Sequence, residues 1–79
     1  MNWTDHIEAT PGVLGGKPRV RGTRVGVAFL LELFGAGWTT ERVLENYPHL
    51  TAEDLQAVFA FAAETTGDVR LSSVHRDAA

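Results

Sequence analysis

The sequence predicts a mainly α-helical domain, in which three helices arranged like the helix-turn-helix of homeodomains follow a short N-terminal β-element. Apolar residues recur at helical spacing in three segments between residues 25 and 65, and a stretch rich in glycine and proline precedes them. A length of 79 residues leaves room for one small core. We therefore assign residues 1–67 to a single domain and residues 68–79 to a C-terminal tail that is flexible or ordered by a partner.

Two short strands are predicted before the helices, one near His6–Ala9 and one near Arg19–Arg21. A Pro-Gly pair at residue 11 and a Gly-Gly pair at residue 15 supply the turns between them. Alternate side chains of an extended segment share a face, so Arg19 and Arg21 are expected to project outward together while Val20 faces the core. The sequence leaves open whether the strands pair within one chain or between two chains.

The first helix is predicted over Val25–Ala36, with Gly35 and Gly37 as its stop signal. Its large apolar residues cover more than one face: Phe29, Leu30, Leu31, Leu33 and Phe34. A helix that is apolar nearly all round must be covered on most sides. It is therefore either the central helix of the core or a helix that contacts another subunit.

Two further helices follow. The second begins after Thr39, a natural N-cap, and ends before Pro48. The third begins at a capping box formed by Thr51 and Asp54, and it ends near Gly67. The inward stripes are expected to be Val43, Leu44 and Tyr47 in the second helix and Leu55, Val58, Phe59 and Ala62 in the third.

Positive charge is concentrated before the first helix, although the net charge is −3. Four of the seven basic residues lie there: Lys17, Arg19, Arg21 and Arg24. No carboxylate occurs between residues 9 and 31. Because clustered like charges repel one another and phosphate is a common ligand of such clusters, we predict that these four residues bind DNA or another anionic partner. The alternative is that they protect a strand edge and keep the protein soluble.

The third helix is a poor candidate for reading a DNA groove. Its first turn carries Glu53 and Asp54, which phosphates would repel. If DNA is bound, the basic segment is the better candidate, either in a groove or on the phosphate backbone.

Chemical sites are not favoured. The glycines that precede Lys17 lack phosphate-loop spacing, and Pro18 stands where that motif requires Ser or Thr. The histidines do not have the spacing of a metal site: His6, His49 and His75. Since there is no cysteine and no other credible nucleophile, we expect no enzymatic activity, metal, cofactor or small-molecule substrate.

Binding to other protein chains is favoured instead. Three apolar residues lie off the inward stripes and are expected to form a homodimer interface: Phe29, Leu31 and Phe61. The tail residues expected to bind a partner are Val69, Arg70 and Leu71. The sequence has no secretory signal and no apolar run long enough to span a bilayer, so we expect a cytoplasmic protein.

Two sequence blocks are distinctive: Gly-Lys-Pro-Arg-Val-Arg-Gly-Thr-Arg at residues 16–24 and Asn-Tyr-Pro-His-Leu-Thr-Ala-Glu-Asp-Leu at residues 46–55. With them the chain resembles, over about residues 4 to 65, the bacterial domain-of-unknown-function family 433, of VapB-type antitoxin-like proteins. The motif residues are Gly16, Lys17, Pro18, Gly22, Thr23, Arg24, Tyr47, Pro48, Leu50, Thr51 and Asp54. The resemblance implies a helix-turn-helix type of domain after a small β-element, often encoded beside a PIN-like nuclease toxin, which it neutralises while binding its own promoter.

Charge segregation and this resemblance together predict a non-enzymatic, dimeric, antitoxin-like regulator. Its expected partners are a protein, with a PIN-like toxin as the candidate, and promoter DNA. The alternative is a protein–protein interaction module in which the arginines pair with a partner's carboxylates and DNA is never bound. A salt titration separates the two, because binding to DNA phosphates weakens steeply as salt rises.

Overall fold

The computed structural model describes residues 1–67, which form three helices and a two-stranded antiparallel sheet. The elements are β1 (Ile7–Glu8), β2 (Arg19–Val20), α1 (Val27–Gly35), α2 (Thr40–Asn46) and α3 (Ala52–Thr65), with single 3-10 turns at Trp3–Asp5 and Leu14–Gly16. The predicted mainly helical domain with a small β-element is confirmed. None of the described helices is long and apolar enough to cross a membrane.

The two strands pair within one chain. Ile7 lies opposite Val20, and Glu8 lies opposite Arg19. Ile7 and Val20 are both buried. The sheet therefore contributes one cross-strand apolar pair to the core and one cross-strand pair of opposite charge.

Arg19 is buried, so the expectation that it projects into solvent beside Arg21 is wrong. Only 8% of its surface is exposed. Its guanidinium donates from Nη1 to Glu8 Oε2 at 2.8 Å and from Nη2 to Thr10 Oγ1 at 3.3 Å. The neutralising carboxylate comes from the opposite strand, and a strand of two residues is too short for strict alternation of faces to decide which side chain is covered.

Helix α1 begins two residues later than predicted, because the backbone is still extended at Gly26. Its end is a Schellman motif: Gly37, with φ +98°, donates to the carbonyl of Phe34, and Trp38 donates to the carbonyl of Leu33. The predicted glycine stop is thus confirmed at residue 37.

Both predicted N-caps are confirmed. Thr39 Oγ1 accepts a hydrogen bond from the backbone of Arg42 at 3.1 Å. At the start of α3, Thr51 Oγ1 accepts from the Asp54 amide at 3.1 Å while Asp54 Oδ2 accepts from the Thr51 amide at 3.0 Å. Each cap satisfies amides that a helix start leaves unpaired, so these two helix starts are specified locally.

The core lies where the sheet and all three helices meet. Its buried apolar residues are Ile7, Val20, Val27, Leu30, Val43, Leu50, Leu55, Ala57 and Val58. Phe59 was expected inside, but it is 43% exposed, and Ala57 is buried in its place. Phe59 instead packs its ring on Phe34, with 4.7 Å between the centroids. A core in which the elements approach closely accommodates an alanine at this position of α3 and leaves the larger ring at the surface.

Candidate functional site

The loop between the strands has an unusual backbone. Three consecutive residues, Leu14, Gly15 and Gly16, have positive φ angles of 51°, 65° and 81°. Glycine adopts this region freely, but an L-residue pays roughly 1–2 kcal/mol for it. Leu14 is the one non-glycine residue with positive φ in residues 1–67. Its side chain lies over Gly26, where an added Cβ would be 3.6 Å from Leu14 Cδ1.

An open cleft of about 680 Å³ lies between this loop, the start of α1 and the end of α3. Its large apolar side chains are Leu14, Val25, Phe29, Leu31, Tyr47 and Phe61. The Phe29 and Tyr47 rings meet edge to face, with 5.9 Å between their centroids. Phe61 in turn meets Trp3 edge to face at 4.8 Å, which fixes its ring at the end of the cleft. We call this surface the apolar cleft.

The three residues predicted to form a dimer interface all line the apolar cleft. Phe29 is 42% exposed, and Leu31 and Phe61 are half-buried. They come from α1 and α3, which the fold brings together. Their shared surface is thus a structural fact, while a second copy of the chain as its occupant remains a prediction.

Two of the four predicted anion-binding residues also line the apolar cleft. Lys17 and Arg24 are exposed, and among residues 1–67 neither has an ion-pair partner. No carboxylate is among the described residues that line the cleft. The cleft therefore combines apolar walls with positive charge.

The other two arginines are tied to the β-element. Arg19 is buried against Glu8, as described above. The side chain of Arg21 is 56% exposed, but its Nη1 lies 3.5 Å from Glu8 Oε1, and it also donates to the backbone carbonyls of Thr4 and Asp5. The predicted four-residue basic surface is therefore divided into two arginines that share the Glu8 carboxylate and two cations at the cleft that have no ion-pair partner in the described part of the chain.

A second polar cluster joins the residue before β1 to α3, and neither of its side chains lines the apolar cleft. His6 Nδ1 lies 2.9 Å from Asp54 Oδ1, on the carboxylate that caps α3. Burial raises the pKa of Asp54, but the hydrogen bonds from His6 and Thr51 outweigh it and hold that pKa below its ordinary value. This cluster positions the N-terminal segment on α3. Within residues 1–67 no three metal-ligating side chains converge on a point.

Residues 7–62 match the family described as "Protein of unknown function (DUF433)". The chain belongs to the DUF433 family. Two relatives place this DUF433 domain in longer proteins. It is 41% identical over 56 residues to the uncharacterized protein y4eO of Sinorhizobium fredii (strain NBRC 101917 / NGR234), and the match covers 71% of this chain and 25% of y4eO. The family match ends at residue 62, within α3.

The second relative is known from the crystal structure of a DUF433 member protein of Anabaena variabilis ATCC 29413 at 2.00 Å resolution. It is 42% identical, with a TM-score of 0.71, and the match covers 78% of this chain and 60% of that one. The chain thus spans less than two thirds of either relative. The shared fold is a small helical domain with a two-stranded sheet.

The two motif blocks of this DUF433 chain meet in the structure. Lys17 and Arg24 from the first block and Tyr47 from the second all line the apolar cleft. Between the two cations, Thr23 Oγ1 donates to the Val20 carbonyl at 2.8 Å and accepts from the Val25 amide at 3.0 Å. The first block therefore builds a turn and places two cations beside the cleft.

Sequence reasoning missed Leu14 and Tyr47 as members of the site. The apolar periodicity places Tyr47 on the inward stripe of the second helix, and it gives Leu14 no role. A usable signal was the apolar pair Val13-Leu14 isolated among glycines, since an apolar residue in a glycine-rich turn must be covered by something. The predicted partner-binding residues of the tail, Val69, Arg70 and Leu71, lie outside the described residues.

Proposed function

We propose that this DUF433 domain is the protein-binding part of a non-enzymatic, antitoxin-like regulator and that it binds its partner in the apolar cleft. The observation that carries the proposal is one concave surface that combines half-exposed aromatic side chains with two cations, neither of which has an ion-pair partner within residues 1–67. Exposed apolar patches with polar rims are typical of protein-binding sites. Aromatic and arginine side chains also dominate the energy of such interfaces.

The candidate partner is a PIN-like nuclease toxin, as the family resemblance implies. A homodimer is proposed on the same surface, because the three dimer-interface residues line the cleft. A toxin and a second copy of the chain would then compete for one site. On this view, binding of the toxin dissociates the homodimer.

Co-expression with a PIN-like nuclease encoded beside the gene tests this proposal. Phe29→Ser removes an aromatic side chain from the cleft. Phe59→Ser is the matched control, since Phe29 and Phe59 are 42% and 43% exposed and each ring packs on another aromatic ring. We expect the wild type and Phe59→Ser to restore the growth of cells that express the nuclease. Both should also form a complex with the nuclease that has a defined mass by light scattering. Phe29→Ser should lose both, and equal behaviour of the two variants would contradict the proposal.

DNA binding is the second candidate function, and it is supported by three exposed cations: Lys17, Arg21 and Arg24. The α2–α3 pair supports a helix-turn-helix interpretation in chain order, but the first turn of α3 carries Glu53 and Asp54. Phosphates would be repelled there, so DNA would be held by the loop cations rather than by α3.

A salt titration of duplex binding tests this second function. Three phosphate contacts predict that the logarithm of affinity falls with the logarithm of salt at a slope of about −3 per chain. Lys17→Glu with Arg24→Glu should abolish binding. If no salt-sensitive duplex binding is found at low ionic strength, the function is that of a protein–protein interaction module that does not bind DNA.

A further inference from the structure

We propose that the occupant of the apolar cleft is an apolar segment of a protein partner that carries acidic side chains, and that Leu14 is a specificity-determining wall of the cleft. This inference rests on the proposed protein-binding function and names the chemistry of the partner. Two independent observations carry it: the charge distribution around the cleft and the backbone conformation of Leu14.

The charge distribution selects an acidic partner. Lys17 and Arg24 both line the cleft, both lack an ion-pair partner within residues 1–67, and no described carboxylate lines the same surface. A partner segment with aspartate or glutamate beside its apolar residues would meet complementary charge. A second copy that docks cleft to cleft about a twofold axis would bring the same cations toward one another. Like-charge contact at an interface is unfavourable, so the homodimer proposed on this surface is the weaker of the two complexes, and a foreign acidic segment displaces the second copy.

The apolar side chains that line the cleft favour a protein over a nucleic acid as its occupant. Leu14, Leu31 and Phe61 offer apolar contact area across the cleft, with the Phe29–Tyr47 pair beside them. A sugar–phosphate backbone would use the two cations but would leave these side chains without apolar partners. A peptide with alternate apolar and acidic residues uses both.

The backbone conformation of Leu14 indicates that its side chain has a role at the cleft. A leucine at φ 51° is in a region that L-residues rarely adopt, although the next two residues are glycines that adopt it freely. Gly26 has no Cβ, and the leucine side chain lies in the space above it. Strained backbone of this kind clusters at ligand-binding sites, where the side chain is needed in a fixed place. The loop thus holds Leu14 at the cleft at a cost that glycine would avoid.

Selection from a random peptide library displayed on phage tests the partner's chemistry. We expect the wild-type domain to enrich peptides that combine large apolar residues with Asp or Glu. The charge-reversed variant Lys17→Glu with Arg24→Glu should enrich peptides with Lys or Arg instead. The control Arg42→Glu, which reverses a cation that stacks on Trp38 away from the cleft, should keep the wild-type preference. The same acidic peptides with both wild-type and charge-reversed domains would overturn the inference.

Titration of the wild type and its variants with the best enriched peptide tests the contribution of Leu14 to binding. Leu14→Gly should bind about tenfold more weakly, because a leucine contact surface is lost, while Phe59→Ser should bind as the wild type does. Unchanged affinity in Leu14→Gly overturns the role of this residue. If no peptide is enriched, the inference is wrong, and a dimer that Phe29→Ser dissociates would then identify a second copy as the occupant. If the nuclease complex still depends on Phe29 but charge reversal leaves the selected peptides unchanged, the proposed function survives and the acidic partner does not.

Discussion

Glu8 and Arg19 face each other across the two strands, and the Arg19 guanidinium donates to the Glu8 carboxylate at 2.8 Å. The same carboxylate accepts the backbone N–H of Gly22 at 3.1 Å and lies 3.5 Å from the Arg21 guanidinium. One carboxylate thus neutralises a buried arginine, holds the turn after β2 and fixes a second arginine. The β-element, which has only two residues in each strand, depends on this carboxylate as much as on its backbone pairing.

Glu8→Ala is therefore expected to lower the free energy of unfolding by about 2 kcal/mol. A fully buried ion pair that loses one partner costs about 3–5 kcal/mol, and the part of Glu8 exposed to water reduces this. Urea unfolding followed by circular dichroism measures the change. The control Glu45→Ala removes an exposed carboxylate with no ion pair among the described residues and should change stability by less than about 0.5 kcal/mol. Equal losses in the two variants would contradict the structural role of Glu8.

Stability is expected to fall in acid because of Asp54. Its pKa is below the ordinary value of 3.8 in the folded protein, so the folded state resists protonation that the unfolded state accepts. The stabilisation by Asp54 is complete at pH values above its ordinary pKa of 3.8, and it is lost as the pH falls through the lowered pKa of the folded state. Urea unfolding between about pH 6 and about pH 2 measures it. Asp54→Asn keeps a capping oxygen and should flatten this part of the profile, whereas Glu53→Gln should not.

The strain at Leu14 predicts an order of stability among variants at this position. Leu14→Gly removes roughly 1–2 kcal/mol of strain in the left-handed backbone, which stabilises the folded state. It also loses the apolar contact of the leucine and raises the chain entropy of the unfolded state, and both changes lower stability. Its free energy of unfolding should stay within about 1 kcal/mol of the wild type. Leu14→Ala loses the contact and keeps the strain, so it should be less stable than Leu14→Gly by about 1 kcal/mol. Thermal or urea unfolding of the three proteins gives the order, and a glycine variant less stable than the alanine variant would mean that residue 14 is not strained.

Trp3 fastens the N-terminal segment to α3. Its indole Nε1 donates to Glu64 Oε1 at 2.6 Å, and its ring meets Phe61 edge to face. Trp3→Phe should keep the ring contact and cost about 1 kcal/mol for the lost hydrogen bond. Trp3→Ala should cost about 2 kcal/mol, because packing on Phe61 is also lost. Urea unfolding distinguishes the two, and equal stabilities would show that the hydrogen bond and not the ring carries the contact.

The helices and their caps could be predicted from the sequence, because their signals are local. Thr39 and Thr51 lie within three residues of the amides that they cap, and Gly37 stops α1 through its own backbone. The antiparallel strands were also placed within a residue or two of Ile7–Glu8 and Arg19–Val20. Their pairing within one chain became known only from the structure, since the turn signals fit either arrangement.

The candidate site could be predicted only in part, because it depends on contacts between distant residues. Phe29, Leu31 and Phe61 were identified as surplus apolar residues, but nothing local indicates that they share a cleft with Lys17 and Arg24. The burial of Arg19 was missed for the same reason, since its carboxylate is 11 residues away. Phe59 rather than Ala57 was expected in the core because apolar periodicity does not determine, to a single residue, which side chains at the edge of a helical face are buried.

The contact between Trp3 and Glu64 has a consequence for larger architectures. It joins residues 61 positions apart, so the described fold begins and ends on neighbouring parts of its surface. A domain with adjacent ends can be inserted into a loop of a host protein without spreading that loop. A host loop that received residues 1–67 would therefore be joined to them at neighbouring points, beside Trp3 and Glu64.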